Sequence, residues 1–242
     1  MSIWGSLIGG MIGFSLGGPF GMLLGSLLGG KISRSRTAAG FSGVAQGQRM
    51  FALSLIVLSA KLSKVDGQVS KEELIAVKDK LKIPEHELDE VGKIFNKAKE
   101  ESAGYEPYAQ QIAQFYSGNI NVLEEVINIL FYIAESDGNI SKSEIEMIEN
   151  IAKIFGLSET QFLGIKESRK GSDKLNPYVV LESKPEDDIS EIRKKYLLLS
   201  KQHHPDLLLS KGVPGEVIEE SKNKMRAINS AWDQVQKLKK LN

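Results

Sequence analysis

The sequence contains no cysteine among its 242 residues. This absence excludes disulfide bonds, thiol catalysis and cysteine-rich zinc modules. Basic and acidic residues are equal in number, so the formal net charge is zero. The chain therefore lacks the basic excess of a nucleic-acid-binding protein, and we expect no nucleic-acid partner.

Charged side chains are absent from residues 1–30. Over residues 3–30 the chain is apolar, glycine or serine, apart from Pro19. A helix of that length would span about 42 Å, enough to cross a bilayer core of about 30 Å with tilt. A cleavable signal peptide fits poorly, because its basic start is missing and the apolar run is too long. We predict a transmembrane segment at 1–30.

Glycine recurs at every fourth position of this segment, at Gly5, Gly9, Gly13, Gly17, Gly21, Gly25 and Gly29. On a helix this spacing makes one smooth stripe, on which a second helix in lipid can pack closely. The stripe predicts a homodimer or higher oligomer formed through the transmembrane segment. Two alternatives are a flexible glycine-rich tail and a membrane hairpin bent at Gly17, Gly18 and Pro19.

Three basic residues, Lys31, Arg34 and Arg36, follow the segment, and none precedes it. Positive residues flanking a transmembrane helix tend to stay on the cytoplasmic side. We expect a single-pass protein of the cytoplasmic (inner) membrane, with its N-terminus outside and its C-terminal domains in the cytoplasm.

A repeat with a period of 71 residues follows a linker at 31–48, which ends in small and polar residues. The copies lie at 62–74 and 133–145, and each consists of an apolar helical stretch, an Asp-Gly turn and an amphipathic helical stretch. Strand-like alternation is scarce. We predict an all-helical middle domain at 49–167, followed by a linker at 168–175.

The Asp-Gly turns suggest a calcium loop, in which Asp66 and Glu73 would take the fifth and twelfth places. The first place should supply an oxygen ligand, but it is Leu62 in one copy and Ile133 in the other. A capping box, in which a serine and a glutamate three residues later satisfy the free N–H groups at a helix start, is the favoured interpretation. The capping pairs are Ser70 with Glu73 and Ser141 with Glu144. We therefore predict no metal site.

This doubled pattern resembles the TerB-like domain, named for tellurite-resistance proteins. The resemblance covers roughly residues 49–167. It implies a helical bundle and little about activity.

Residues 176–242 contain three helical stretches. The second ends at a His-Pro-Asp sequence, because the residue before a proline avoids helical angles. The third follows a loop with Gly212 and Pro214 and runs to the C-terminus. The predicted apolar stripes are Ile189, Ile192, Tyr196 and Leu199 in the second stretch and Ile218, Met225, Ile228, Trp232, Val235 and Leu238 in the third.

Four motifs in this part resemble a J domain. In chain order they are Tyr178-x-x-Leu181, Ile192-x-x-x-Tyr196-x-x-Leu199, His204-Pro205-Asp206 and Ile228-Asn229-x-Ala231-Trp232. The resemblance implies a helical hairpin that binds a DnaK-type chaperone and triggers its ATP hydrolysis through His204, Pro205 and Asp206. It also implies that Arg193, Lys194 and Lys201 dock on that partner, since basic residues speed encounter with an acidic surface.

The chain departs from the J-domain pattern at three positions. Leu207 replaces the basic residue usual after the tripeptide, and Leu197 and Leu198 stand where relatives are often basic. These leucines weaken the expected charge steering. They also lie off the core stripe, so they face either the middle domain or a partner.

His203, His204 and Asp206 also raise the question of catalysis or metal binding. A catalytic dyad needs a pocket and a third orienting group, and adjacent residues of a helix point in different directions. We therefore predict no catalytic residue, no cofactor and no enzyme activity.

The order of glycine-rich anchor, TerB-like domain and C-terminal J domain resembles the DjlA-type membrane-anchored DnaJ-like family. The resemblance implies a co-chaperone that recruits a DnaK-type chaperone to the membrane and stimulates its ATPase. The alternative is a membrane envelope-stress adaptor that acts mainly through its TerB-like domain, with the J domain as a docking surface.

Overall fold

The computed structural model describes residues 18–27, 43–64, 75, 77–79, 82–136, 138–170, 174–215 and 218–240. Within these ranges every regular element is helical, which confirms the predicted all-α class. The α-helices are α1 (Gly18–Leu27), α2 (Gly43–Leu62), α3 (Leu88–Glu100), α4 (Glu106–Phe115), α5 (Ile120–Ala134), α6 (Lys142–Ile154), α7 (Glu159–Ser168), α8 (Pro177–Val180), α9 (Ile189–Gln202), α10 (Pro205–Ser210) and α11 (Ile218–Lys240). A 3₁₀ turn, Glu85–Glu87, precedes α3.

Two helices, α2 and α5, form the centre of the middle domain. Both are apolar on almost every face, which is typical of a helix surrounded by others. Helices α3 and α4 pack on α2, while α6 and α7 pack on α5. Helix α2 begins at Gly43, so helical structure starts within the stretch 31–48 that the sequence analysis assigns to a linker.

Helix α1 packs against the outside of this bundle. Phe20 and Leu23 are fully buried, and the Phe20 ring meets the edge of Tyr108 at a centroid distance of 5.0 Å. Gly18 starts α1 with a φ of +70°, which a right-handed helix does not adopt, at the bend position of the hairpin alternative. Gly21 and Gly25 lie in α1, and the other five stripe glycines lie outside the described residues.

None of the helices in the described ranges has the length and apolarity needed to span a membrane.

The second copy of the repeat contains the predicted capping box. Glu144 N–H donates to Ser141 Oγ at 3.1 Å, and Ser141 N–H donates to the Glu144 carboxylate at 2.7 Å. This confirms the capping prediction for that copy. Asp66, Ser70 and Glu73 of the first copy lie outside the described residues.

The predicted J domain is an antiparallel hairpin of α9 and α11, with α8 packed on α11. The Lys239 ammonium near the end of α11 donates to the carbonyl of Asp187, just before α9. Tyr196 stacks on Trp232 at 5.1 Å. The predicted stripes are correct in the centre and wrong at their outer ends, since Ile189 and Leu238 are exposed. Both lie near the open end of the hairpin, where none of the helices in the described part of the chain covers them.

The J domain and the middle domain share a hydrophobic core. Leu208 in α10, Val213 after it and Ile218 at the start of α11 are buried in the same cluster as α2 and α5. At a second contact, Gly164 of α7 lies against the carbonyl of Val179 in α8, where an added Cβ would lie 3.3 Å from the oxygen. The two domains are therefore packed together.

Candidate functional site

The His-Pro-Asp turn, residues His204, Pro205 and Asp206, connects α9 to α10 at the closed end of the hairpin. His204 is the N-cap of α10, and its Nδ1 accepts a hydrogen bond from Asp206 N–H at 3.2 Å. Pro205 occupies the first helical position, where its missing N–H costs nothing. Within the turn, this hydrogen bond and the proline ring shape the backbone locally.

The polar side chains of the turn face solvent. The His204 side chain is 54% exposed and that of Asp206 is 87% exposed. The Asp206 carboxylate lies 3.8 Å from His204 Nδ1, beyond hydrogen-bond distance. Both groups are therefore available to a binding partner.

The predicted basic residues extend this exposed surface along α9. Arg193, Lys194 and Lys201 are all exposed. Lys194 pairs with Glu191 one turn earlier at 2.6 Å, and such a surface pair contributes little stability. The structure thus places all six predicted partner-binding residues on the hairpin, the basic ones on α9 and the tripeptide at its end.

The leucines that depart from the J-domain pattern occupy two environments. Leu197 and Leu198 are more than half exposed, so they do not pack on the middle domain. Leu207 is half-buried, beside the fully buried Leu208. The surface of α9 is therefore mixed, with two apolar side chains among the basic ones.

A buried charged cluster lies behind the turn, between the two domains. Its centre is Glu124 of α5, and its carboxylate lies 2.9 Å from His203 Nε2 and 3.6 Å from Lys224 Nζ of α11. Gln161 of α7 donates to the other carboxylate oxygen at 2.7 Å. His203 Nε2 is close to this carboxylate without forming a well-aligned hydrogen bond.

The charge states of Glu124 and His203 follow from their burial and from the charged groups beside them. Burial alone raises the pKa of Glu124, but Lys224, His203 and Gln161 outweigh that effect and lower the pKa to about 2. Burial lowers the pKa of His203, Lys224 lowers it further, and Glu124 offsets only part of this decrease. At neutral pH the cluster is an ion pair of Glu124 and Lys224 with a neutral imidazole beside it.

Sequence reasoning missed Glu124 and Lys224, and it treated His203 only as a catalytic or metal-binding candidate. A signal was present, because Glu124 and Glu125 interrupt the apolar sequence of α5. A carboxylate in such a helix is buried and needs a partner. The sequence does not reveal which partner it finds.

The exposed turn can present a carboxylate, an imidazole and a basic helix face to another protein. Among the residues that the structure describes, no third group orients His204 and Asp206, and both side chains are open to solvent. Among the described residues, no three His, Asp or Glu side chains are arranged to hold a metal ion. The arrangement is suited to binding.

Two family matches cover most of the chain. Residues 52–167 match the family described as Tellurite resistance protein TerB, and residues 1–41 match the Co-chaperone DjlA transmembrane domain. The first match confirms the TerB-like assignment. The second supports a membrane anchor at the N-terminus.

Curated relatives named Co-chaperone protein DjlA align with nearly the whole chain. The Escherichia coli K12 and Salmonella typhimurium proteins are each 26% identical and cover 99% of both sequences. The Vibrio vulnificus protein is 28% identical over 84% of both. No solved structure matches the chain. These similarities confirm the resemblance to DjlA-type proteins.

Proposed function

We propose that this DjlA-type, membrane-anchored protein is a co-chaperone, which recruits a DnaK-type chaperone and stimulates its ATPase through the His-Pro-Asp turn. The observation that carries the proposal is the solvent-exposed turn at the end of a basic helix. Similarity to proteins named co-chaperone DjlA across the whole chain supports it. The protein acts on its partner's ATPase and has no catalytic reaction of its own.

Each part of the surface has a physical role in this function. Pro205 fixes the backbone of the turn. The Asp206 carboxylate can form a charge-assisted hydrogen bond with an arginine of the chaperone. Arg193, Lys194 and Lys201 attract an acidic surface and accelerate encounter.

The membrane anchor determines where in the cell the chaperone is stimulated. We propose the cytoplasmic (inner) membrane, with a single span and the N-terminus outside, because Lys31, Arg34 and Arg36 follow the segment and no basic residue precedes it. We further propose that the glycine stripe pairs two copies. The pair would present two J domains at the cytoplasmic face.

A single-turnover ATPase assay tests the function directly. The full chain in lipid nanodiscs is added to the host's own DnaK-type chaperone loaded with ATP. We expect wild type to accelerate hydrolysis, and His204→Gln to reduce this acceleration by about tenfold or more. The matched control is His86→Gln, which replaces an exposed histidine of the middle domain.

Two results would contradict the proposal. One is a wild-type chain that leaves the hydrolysis rate unchanged, and this would favour the adaptor alternative. The other is a His204→Gln variant that stimulates as well as His86→Gln. Circular dichroism of both variants checks that their helix content is unchanged.

A further inference from the structure

One turn of α5 contacts the two residues that precede the His-Pro-Asp turn. The Asn121 side-chain amide donates to the carbonyl of Gln202 at 3.2 Å. Glu124 lies 2.9 Å from His203. Residues three apart share a helix face, so one face of a middle-domain helix holds the end of α9.

The Glu124 contact is a strong positional constraint because its charge is buried. The Glu124 and His203 side chains are only 4% and 1% exposed. Lys224, also buried, comes from the J domain as well. A displacement of His203 and Lys224 within the closed interface would leave the Glu124 charge buried without its partners, at a large cost in free energy. The His203 backbone is therefore fixed relative to α5.

The far side of α10 is also held by the middle domain. Leu208 and Val213 are fully buried in the shared core. The backbone of Gly212 lies against Gly47 of α2, so closely that a Cβ on Gly212 would lie 2.9 Å from Gly47 Cα. The His-Pro-Asp turn thus projects into solvent between two fixed points on the middle domain.

We propose that Asn121 and Glu124 are positioning residues for stimulation of the chaperone, because they hold the His-Pro-Asp turn in its active conformation from the middle domain. This inference rests on the proposed function. It makes the functional unit a composite of two domains. Both residues are buried and act on the turn indirectly. Asn121 acts through Gln202, and Glu124 acts through His203 and Lys224.

Loss of positioning and loss of docking should have different effects on the kinetics of ATPase stimulation. The basic residues of α9 remain exposed whether or not Glu124 is present, so the chaperone still docks. A turn that is no longer held spends less time in the conformation that stimulates hydrolysis. Loss of Glu124 should lower the maximal stimulated rate and leave the concentration for half-maximal stimulation nearly unchanged.

The test uses the full chain in nanodiscs with Glu124→Gln, which keeps the side-chain shape and removes the charge. Asn121→Ala is the milder second variant in case Glu124→Gln does not fold. The matched control is Glu144→Gln, which neutralises another buried carboxylate of the middle domain, in the capping box at the start of α6. Stimulation of the chaperone's ATPase is measured over a range of concentrations of each variant. The ¹⁵N NMR signals of the three histidines, His86, His203 and His204, are also recorded.

We expect Glu124→Gln to lower the maximal rate by about tenfold and Asn121→Ala by about threefold, with half-maximal concentrations within about twofold of wild type. The His203 and His204 signals should shift and that of His86 should not. Glu144→Gln should keep both the maximal rate and the histidine signals of wild type.

The inference is wrong if both positioning variants keep the wild-type maximal rate, or if Glu144→Gln lowers that rate equally. A wild-type chain that fails to stimulate contradicts the proposed function instead, and the histidine signals alone then decide whether α5 positions the turn.

Discussion

Gly212 and Gly47 pack backbone to backbone where the J domain meets the middle domain. Gly212 has a φ of +92°, and a Cβ there would lie 2.9 Å from Gly47 Cα. The position therefore combines a left-handed backbone with a steric limit. Only glycine satisfies both conditions without movement of one domain.

Gly212→Ala should destabilise the protein by about 2–4 kcal/mol, because it adds a clash to the strain of a positive φ. Gly118→Ala is the control, since Gly118 has a φ of +79° and no atom within 4 Å of an added Cβ. It should cost only about 1 kcal/mol. Urea unfolding measures both values. Equal losses would show that the contact between the glycines contributes nothing.

Lys224→Met should cost about 3 kcal/mol, because it leaves the buried carboxylate of Glu124 without its cation. The double variant Glu124→Leu/Lys224→Met should recover most of this loss, since an apolar pair needs no charge partner. Lys222→Met, at an exposed position of the same helix, should change stability by less than about 1 kcal/mol. Additive losses in the double variant would contradict the ion pair.

Acid should destabilise the wild-type chain through the buried cluster. The folded-state pKa of His203 lies below its usual value of 6.5, so below that pH the unfolded chain binds a proton that the folded chain does not. The contribution of His203 is present above pH 6.5 and is lost as pH falls. The contribution of Glu124 to stability is lost as the pH falls from 4.5 to about 2. The half-buried Glu182 acts in the opposite direction, because burial and the charge of Glu124 raise its pKa.

A comparison of wild type with His203→Gln isolates the histidine. Between pH 7.5 and 5.5, wild type should lose about 1 kcal/mol more unfolding free energy than the variant does. Urea midpoints at the two pH values give the difference. If the two chains have the same pH dependence, His203 is not held neutral in the fold.

The glycine stripe predicts association within the membrane. Replacing Gly5, Gly9 and Gly13 with leucine keeps the segment apolar and fills the groove, so crosslinking between copies should fall by about fivefold or more. Gly10→Leu changes a glycine off the stripe and should leave crosslinking unchanged. Insertion, measured by membrane fractionation, should be the same in all variants. Undiminished crosslinking of the triple variant would mean that the stripe serves another contact.

Local rules in the sequence were sufficient for the helical class and for much of the binding surface. Apolar spacing predicts the hairpin stripes, and it fails only at Ile189 and Leu238, where periodicity gives no information on which helix ends are covered. Ser141 and Glu144 form the predicted cap because both partners lie within one helical turn. Proline at 205 similarly places the turn between α9 and α10.

The tertiary structure alone decided what lies behind the turn. Asn121 and Gln202 are 81 positions apart, and nothing local in either segment selects the other. The sequence shows that Glu124 interrupts an apolar helix and that His203 precedes the His-Pro-Asp turn. Their meeting depends on the angle at which two helical domains pack, which is the sum of many weak contacts across a shared core. Residue identity and spacing therefore determined the tripeptide and its basic helix, whereas domain packing determined which residues hold them in place.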